Sequence, residues 1–334
     1  MSNRAVVLQK FVPNNPEAGL ALLTKPVPKA EPGQVVVRII LRPVNPTDLM
    51  SYRLEGYAHA KPGSFTPGSE GVGIVHDVGE GVTAVVKGQR VVPFIEFENI
   101  GKGEGTWQDY VSVRADLVWV VPDSISDFAA AQFVVNPWTV HGMLSDLKIP
   151  KGEYVLQTAA GSTLGRQLIK LAKHWGIKTI NVVRRKEQKA ELKALGADEV
   201  ISTSDEDVAT RVKEITGGKL AYGALDAVAG QLTKQVCASV RDGGQVFIYG
   251  VLAGWEVTVG VGDLFRGVQL TAWYLIKELS ILERRRVFIS DVSKLIEDKI
   301  IEPLVGETYD LADFQLAIKK SEEVGRGGKV FLKS

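Results

Sequence analysis

The feature that most constrains the fold is an alternation of short apolar runs with helical patterns, which begins near Asp127. Tyr154–Thr158 is a short apolar run, and the residues from Leu164 to Trp175 place apolar side chains at helical spacing. The same alternation continues through Lys178–Val183, Lys186–Leu195 with Gly196 as its stop, Glu199–Ser202, Gly223–Val228 and Gln245–Tyr249. Strands that alternate with helices predict an α/β domain with a doubly wound parallel sheet.

The first third of the chain has a different texture, because Gly and Pro separate short β-rich runs. The predicted strands are Ala5–Leu8, Gln34–Leu41, Gly71–Val78, Arg90–Phe94, Trp107–Val113 and Leu117–Val121. Several short strands at this spacing indicate a small barrel or a folded sheet. One helix is predicted after Asn45, because Asn is a good N-cap and Pro46 suits the first helical position.

The domain organisation follows from these changes of pattern. A chain of 334 residues suggests about two domains. After Gly250 the pattern is mixed, with a predicted strand at Val268–Leu275 and a predicted long helix at Glu278–Asp298. We therefore predict a mostly β domain from residues 1–126 and 276–334, and an α/β domain from residues 127–275.

Composition excludes several classes of function. The net charge of +1 gives no strong field for nucleic acid or an acidic membrane surface. The single cysteine, Cys237, allows neither an intrachain disulfide nor a cysteine metal cluster, and its apolar surroundings predict a buried side chain. No apolar run approaches the roughly 18–20 residues of a membrane span. Met1–Lys10 does not resemble a secretory leader. We expect a cytoplasmic protein with a small-molecule substrate.

The strongest chemical signal is the segment Gln157–Gly165 (QTAAGSTLG), which follows a predicted strand and opens a predicted helix. Small residues let the backbone approach a pyrophosphate, and the helix N-terminus offers N–H donors and partial positive charge. The segment departs from the usual G-x-G-x-x-G pattern, so an ordinary strand–turn–helix is the structural alternative. The predicted cofactor-binding residues are Ala160, Gly161, Ser162, Thr163, Leu164 and Gly165.

The end of the next predicted strand indicates which dinucleotide binds. Arg184 and Arg185 lie about 20 residues beyond the small-residue turn, where an NAD enzyme places an acidic residue and an NADP enzyme an arginine. A guanidinium group pairs bidentately with phosphate, so these residues predict NADPH as the cofactor. The alternative is a solvated, basic start of the next helix. Tyr249 and Gly250 end a later strand and are predicted at the same edge of the sheet.

With these residues placed, the whole chain resembles the medium-chain dehydrogenase/reductase superfamily. The stretches Asn45–Asp48 (NPTD), Val135–Thr139 (VNPWT) and Thr179–Arg184 (TINVVR) are similar to mitochondrial-type 2-enoyl thioester reductases and to quinone oxidoreductases. The resemblance implies a Rossmann NADP-binding domain inserted into a GroES-like, mostly β catalytic domain. It also implies a homodimer in which strand Val268–Leu275 pairs across a two-fold axis.

The zinc ligands of alcohol dehydrogenases in this superfamily are missing. Asn45 stands at the first ligand position, and Ser69 replaces a histidine in the sequence Pro-Gly-Ser-Glu-Gly at residues 67–71. Catalytic zinc needs three protein ligands of nitrogen, sulfur or carboxylate type, and Glu70 alone cannot hold it. We therefore expect no metal, and a reaction other than zinc-dependent alcohol oxidation.

Without a Lewis acid, hydride transfer needs an activated acceptor, such as a C=C conjugated to a carbonyl, or a quinone. A hydrogen-bond donor aimed at the carbonyl oxygen would stabilise the developing charge, and a protonated tyrosine hydroxyl is suitable. The resemblance places a functional tyrosine near Tyr57, although the spacing is shifted by one residue, and Tyr52 is the competing assignment. The structural alternative is a loop tyrosine that only lines the substrate site.

Three further residues are predicted to contribute. Asn45 is expected to bond the substrate or the ribose, with helix capping as its structural alternative. Thr139 resembles the threonine that approaches the nicotinamide, with back-bonding to its own helix as the alternative. Trp273 is predicted either to line the substrate channel or to be a core or dimer-seam aromatic. All four histidines are structural by default, and His59 is the one worth testing because it follows Tyr57 closely.

The leading prediction is NADPH-dependent reduction of a 2-enoyl thioester carried on coenzyme A or an acyl-carrier protein. Such a carrier needs a basic groove, for which Lys61, Arg266 and Arg284–Arg286 are candidates, although a charge run is usually a solvated face. The alternatives are an NADPH:quinone oxidoreductase and a nucleotide-binding protein with little turnover.

Overall fold

The computed structural model describes residues 2–57, 60–96, 103–325 and 327–334. The chain divides into two compact units. Unit 1 contains Met1–Val135, Leu279–Arg285 and Glu302–Ser334, and unit 2 contains Asn136–Glu278 and Arg286–Ile301. Residues 127–135 therefore belong to unit 1, and residues 286–301 belong to unit 2. The predicted domain limits at residues 127 and 275 remain predictions.

The strands of the described residues are numbered in chain order. They are β1 (Ser2–Leu8), β2 (Leu20–Pro26), β3 (Gln34–Pro43), β4 (Val72–Val78), β5 (Arg90–Pro93), β6 (Tyr110–Arg114), β7 (Val118–Val120), β8 (Tyr154–Gln157), β9 (Lys178–Val183), β10 (Glu199–Ser202), β11 (Ala221–Asp226), β12 (Val240–Ile248), β13 (Gln269–Ala272), β14 (Val305–Asp310) and β15 (Lys329–Lys333).

The α-helices of the described residues are numbered in the same way. They are α1 (Pro46–Arg53), α2 (Asp127–Ala131), α3 (Val135–Leu147), α4 (Thr163–Trp175), α5 (Gln188–Leu195), α6 (Val208–Ile215), α7 (Leu232–Ala238), α8 (Val261–Phe265), α9 (Leu275–Leu279), α10 (Leu282–Glu297) and α11 (Phe314–Glu322). No helix among these residues combines the length and the apolar character that a membrane crossing requires.

Unit 2 is built on a six-stranded parallel sheet with the order β10-β9-β8-β11-β12-β13. Its central strands are short and apolar, because both of their faces are covered. Helix α4 connects β8 to β9 and buries Leu168, Leu171 and Ala172 before it ends at Gly176, which is left-handed at φ +74°. The strand order reverses between β8 and β11, and open α/β sheets bind ligands at that point, beyond the carboxyl ends of the strands.

Unit 1 contains a mostly antiparallel sheet with the order β14-β15-β3-β4-β5-β7, in which β6 also pairs with β3, and the separate hairpin β1-β2. Strands β1, β3, β5, β6 and β15 are largely buried and contribute to one apolar core, in which Val37, Ile39, Phe65, Trp107 and Leu332 are all fully buried. This mostly β unit and the parallel α/β unit confirm the predicted fold class.

The predicted elements of unit 2 and its connections are largely confirmed, with two corrections. The long helix predicted at Glu278–Asp298 is found as α10 at Leu282–Glu297, and its predicted start is too early, because Ser280 forms a turn and Ile281 leaves the helical conformation between α9 and α10. Serine competes for backbone hydrogen bonds and so interrupts helices readily. The strand predicted at Val268–Leu275 is shorter, since Leu275 already begins α9. Cys237 is buried, as predicted.

The predicted elements of unit 1 need one addition. Strand β2, at Leu20–Pro26, was not predicted and pairs with β1 over its whole length. Its side chains are mostly partly or fully exposed, so its sequence lacks the apolar alternation that marks a half-buried strand.

Candidate nucleotide-binding and catalytic residues

The turn before α4 has the geometry of an anion-binding helix start. The Ser162 hydroxyl accepts a hydrogen bond from the backbone N–H of Gly165 at 3.0 Å. Other N–H groups in the first turn of a helix have no intrahelical acceptor and point outward, toward any bound anion. Ala159 holds a left-handed conformation at φ +51°, which costs an alanine about 1 kcal/mol and gives the turn its sharp reversal.

Close backbone contacts fix the shape of this turn. A Cβ atom on Gly165 would lie 2.6 Å from the carbonyl oxygen of Ala160, so only glycine lets the helix approach the turn. The Ala160 N–H donates to the carbonyl of Val182 at 3.1 Å, which ties the turn to β9. Arg166, which the sequence analysis did not single out, donates from Nε to the Gly161 carbonyl at 3.1 Å. The predicted cofactor residues from Ala160 to Gly165 therefore form one compact turn.

A buried carboxylate, also missed from the sequence, organises the neighbouring strand end. Asp226 is fully buried at the end of β11. It accepts hydrogen bonds from the hydroxyl of Thr158 at 2.7 Å, the hydroxyl of Thr233 at 2.8 Å and the N–H of Val228 at 2.9 Å. Thr158 in turn accepts from the N–H of Ala227 at 2.9 Å. This network locks the carboxyl ends of β8 and β11 side by side. An aspartate followed by small residues at a strand end was the available signal.

The predicted phosphate-binding arginines stand at the end of β9. Arg184 and Arg185 directly follow Val183 and are exposed. Neither guanidinium group makes a hydrogen bond or ion pair to any part of the chain that the structure describes, whereas nearby Lys189 pairs with Glu206. Two adjacent cations at this strand end are therefore available to a ligand phosphate.

Tyr249 and Gly250 follow β12, beside the end of β11. The N–H of Tyr249 donates to the Asp226 carbonyl at 2.9 Å, and a Cβ on Gly250 would lie 2.7 Å from the Ala227 carbonyl oxygen. The Tyr249 hydroxyl is buried and finds no hydrogen-bond partner among the described residues. Burial raises the pKa of this hydroxyl, with the Asp226 charge acting in the same direction, so it stays protonated. Both residues lie at the strand edge where they were predicted.

In unit 1, Asn45 and Ser69, which stand where the sequence comparison with alcohol dehydrogenases expects zinc ligands, belong to a polar cluster with Asp48 and Glu70. The Asn45 side chain donates from Nδ2 to Glu70 Oε1 at 2.8 Å and approaches Ser69 Oγ at 3.4 Å. Asp48 accepts from the backbone N–H groups of Asn45 and Ser69, each at 2.8 Å. Asn45 thus occupies the N-cap position of α1 and forms a capping box with Asp48, whose carboxylate accepts from the Asn45 N–H, while the Asn45 side-chain NH2 group bonds to Glu70.

Glu70 is the centre of this cluster and is 1% exposed. Its Oε2 accepts from the N–H groups of Val134 at 2.9 Å and Val135 at 2.8 Å. Burial raises the pKa of Glu70 to about 7, against the opposing effects of the Val135 amide, Asn45 and the charge of Lys329. Every contact to the carboxyl oxygens comes from a donor, so the hydrogen bonds favour the ionised form.

The two tyrosine candidates differ in their surroundings. The Tyr57 hydroxyl lies 3.4 Å from Thr47 Oγ1 and its ring is only partly buried. The Tyr52 ring is 1% exposed and its hydroxyl donates to Glu17 Oε1 at 3.1 Å. Burial raises the pKa of Tyr52, and its hydroxyl is committed to a structural contact. These contacts disfavour Tyr52 as the donor to a substrate, and the assignment of that role to Tyr57 stays a prediction.

The remaining predicted site residues have different outcomes. Thr139 is buried within α3. The Trp273 indole N–H donates to Asp146 Oδ2 at 2.8 Å, and its ring packs against Gly142 in the core of unit 2. These contacts favour its structural role, and its lining of a substrate channel stays a prediction. His59 lies outside the described residues.

The basic residues considered for a thioester carrier are not equivalent. Arg266 is committed to Asp242 at 2.8 Å and Asp263 at 2.9 Å. Arg285 is 7% exposed, whereas Lys61 and Arg286 are exposed. These ion pairs disfavour a carrier contact for Arg266, and the contributions of Arg266, Lys61 and Arg286 to a carrier groove stay predictions. The described residues contain no group of three His, Cys, Asp or Glu side chains arranged to hold a metal ion.

Comparisons with known proteins cover both units. A family model described as an alcohol dehydrogenase GroES-like domain matches residues 31–123, and one described as a zinc-binding dehydrogenase matches residues 163–296. A mitochondrial enoyl-[acyl-carrier-protein] reductase of Caenorhabditis elegans is 33% identical over 290 residues, which cover 83% of this chain and 80% of that protein. The enzyme with the same name from Arabidopsis thaliana is 34% identical over 83% of this chain and 73% of its own length.

Solved structures match over nearly the whole chain. A quinone oxidoreductase of Pseudomonas syringae has a TM-score of 0.87 and 27% identity, with complete coverage of both chains. The Escherichia coli quinone oxidoreductase complexed with NADPH has a TM-score of 0.85 and 25% identity, and the match covers 99% of this chain and 100% of that one.

Proposed function

Because this chain belongs to the zinc-independent branch of the medium-chain dehydrogenase/reductase superfamily, we propose that it is an NADPH-dependent reductase of a C=C bond conjugated to a carbonyl, with a 2-enoyl thioester as substrate. The observation that carries this proposal is the pair of unpaired arginines, Arg184 and Arg185, at the end of the strand that follows the small-residue turn. Relatives named enoyl-[acyl-carrier-protein] reductase support the substrate class.

The residues of unit 2 fit a bound dinucleotide. Because residue 165 is a glycine, the turn can pack closely against the first turn of α4, as a pyrophosphate site requires. The first-turn amides of α4 and its dipole would hold the pyrophosphate, and Arg184 and Arg185 would hold the 2′-phosphate. Tyr249 and Gly250 would line the same edge of the sheet. When bound, NADPH supplies a hydride to the β-carbon of the substrate.

The residues proposed for the reaction are Tyr57, Asn45 and Thr139. As hydride reaches the β-carbon, negative charge develops on the thioester carbonyl oxygen. The Tyr57 hydroxyl would donate a hydrogen bond to that oxygen and stabilise the enolate, a contribution of about 3–4 kcal/mol for a single donor in such sites. A proton from water would then add to the α-carbon and complete the reduction. Asn45 orients a bound group within the polar cluster around Glu70. Thr139 approaches the nicotinamide from α3.

A quinone is the second candidate substrate. The solved structures named quinone oxidoreductase match this chain over almost its full length, and Arg266, a candidate for a carrier groove, is ion-paired with Asp242. A quinone is an activated acceptor that needs neither a carrier groove nor a metal. It would use the same donor, Tyr57, at one of its carbonyl oxygens.

The test is NADPH oxidation, followed at the cofactor absorbance, with crotonyl-CoA and then with a benzoquinone. Turnover of the thioester with a kcat/KM well above that of the quinone is the expected result. A higher kcat/KM for the quinone than for the thioester would make a quinone, and not a 2-enoyl thioester, the substrate. If NADPH binds but neither acceptor is reduced, the chain is a nucleotide-binding protein with little turnover.

We also propose a homodimer and keep the cytoplasm as the predicted compartment, although the named relatives are mitochondrial. Strand β13 is at the edge of its sheet in the described residues. The part of the chain from residue 252 to residue 274, which includes β13, exposes large apolar side chains that a second copy would cover. They are Leu252, Trp255, Val257, Val261, Leu264, Phe265 and Tyr274. Light scattering after gel filtration is expected to give twice the mass of one chain, and a monomer would exclude the proposed seam.

A further inference from the structure

The side chain of Asn45 presents one free polar atom. Its Nδ2 is engaged by Glu70 Oε1 at 2.8 Å, while its Oδ1 is buried and has no hydrogen-bond partner among the described residues. Asn45 itself is 0% exposed. A buried amide oxygen without a donor is destabilising, so a donor supplied by a ligand is favoured. What Asn45 offers to a ligand is therefore an acceptor.

The carboxylate of Glu70 enforces this orientation. Its Oε2 already accepts two backbone N–H groups, those of Val134 and Val135, so the carboxylate cannot turn away. With Glu70 ionised, an Asn45 amide turned by 180° would place its Oδ1 against Glu70 Oε1 across 2.8 Å, and two acceptors would oppose each other. Glu70 thus decides that the free atom of Asn45 is oxygen.

We propose that Glu70 is a positioning residue, which holds Asn45 as an acceptor for a hydroxyl or amide N–H of the bound ligand. This inference rests on the proposed reductase function. Two components of that reaction carry such a donor: the ribose of NADPH has hydroxyl groups, and the carrier arm of a thioester has amide N–H groups. The thioester carbonyl oxygen is an acceptor, so Asn45 does not stabilise it and that role falls to Tyr57.

The substitution Glu70→Gln reverses the orientation without changing the size of the side chain. The oxygen of the introduced amide must accept from Val134 and Val135, so its NH2 group faces Asn45. Asn45 then turns to accept from that group and presents its own NH2 group to the ligand. The NH2 group of Asn45 would then face the hydroxyl or amide N–H of the ligand, and this loss of a hydrogen bond should weaken ligand binding about tenfold.

The double variant Glu70→Gln with Asn45→Asp restores the acceptor. The introduced glutamine amide donates to one oxygen of the introduced carboxylate, and the other oxygen is free to accept from the ligand. The single variant Asn45→Asp instead opposes two buried carboxylates and should lower Tm. A matched control is Glu17→Gln, since Glu17 bonds to Arg53 and Tyr52 and lies outside the proposed site.

Three quantities are measured for each variant: the Kd of NADPH from tryptophan fluorescence, the KM of crotonyl-CoA at saturating NADPH, and Tm. We expect Glu70→Gln to raise either the Kd or the KM about tenfold, and the double variant to return that value to within about threefold of wild type. A change in Kd identifies the ribose as the donor, and a change in KM alone identifies the carrier arm.

The proposal is overturned if Glu70→Gln changes neither quantity, or if the double variant binds no better than Glu70→Gln. Failure of the proposed function has a different signature, namely a wild-type protein that neither binds NADPH nor reduces the thioester. In that case only Tm tests the proposed orientation of the Asn45 amide. A double variant with a higher Tm than Asn45→Asp supports this orientation, and a double variant with the same Tm refutes it.

Discussion

The substitution Gly165→Ala tests whether the nucleotide turn depends on close packing of α4. The added Cβ would lie 2.6 Å from the Ala160 carbonyl oxygen and 2.7 Å from its Cα, distances that require the backbone to move. Overpacking of this kind costs about 1–3 kcal/mol, and we take the upper value because the opposing atoms are backbone. Alanine recovers about 1 kcal/mol of helix propensity, so the expected net loss is about 2 kcal/mol.

The control is Gly262→Ala in α8, where a Cβ would meet nothing within 4 Å. That substitution should be neutral or stabilising by up to about 1 kcal/mol. Urea denaturation followed by circular dichroism compares the free energies of unfolding, and fluorescence titration compares the affinities for NADPH. Because Ala160 belongs to the turn, Gly165→Ala should also weaken NADPH binding. A variant as stable and as tightly binding as wild type would refute the close-packing argument.

Three further predictions concern the cofactor, the reaction and the metal. Replacing both Arg184 and Arg185 with alanine should weaken NADPH binding about 10- to 100-fold and NADH binding little, since two charge-assisted contacts to the 2′-phosphate are lost; equal losses in titrations of both cofactors would contradict this. Tyr57→Phe should lower kcat about 100-fold or more while the Kd of NADPH is unchanged, and an unaltered kcat would return Tyr57 to a structural role. Dialysis against a chelator should leave activity intact, because the described residues offer no three-ligand metal site, and loss of activity restored by zinc would contradict that expectation.

Much of unit 2 was predictable because its signals are local. The helical spacing of apolar residues in α4, the small residues before it and the left-handed glycine after it all act within one turn of the chain. The positions of Arg184 and Arg185 follow from the same regularity, since the carboxyl ends of adjacent parallel strands meet at one edge. Strand β2 and the break between α9 and α10 were not predicted, because exposed strands and single-turn interruptions leave weak periodic patterns.

The fold class, the small-residue turn before α4 and the residue types at the zinc-ligand positions could be predicted from the amino-acid sequence, because each depends on residue types at short, regular spacings. The roles of the polar side chains depend on contacts that form only in the folded chain. Asn45 occupies an N-cap position, yet its amide bonds to Glu70, which is 25 residues away in sequence. Arg266 forms ion pairs with Asp242 and Asp263, and Asp226 joins two strand ends. Hydrogen bonds and ion pairs between distant segments form only where the fold places their groups close together. Local sequence patterns therefore do not indicate these partners.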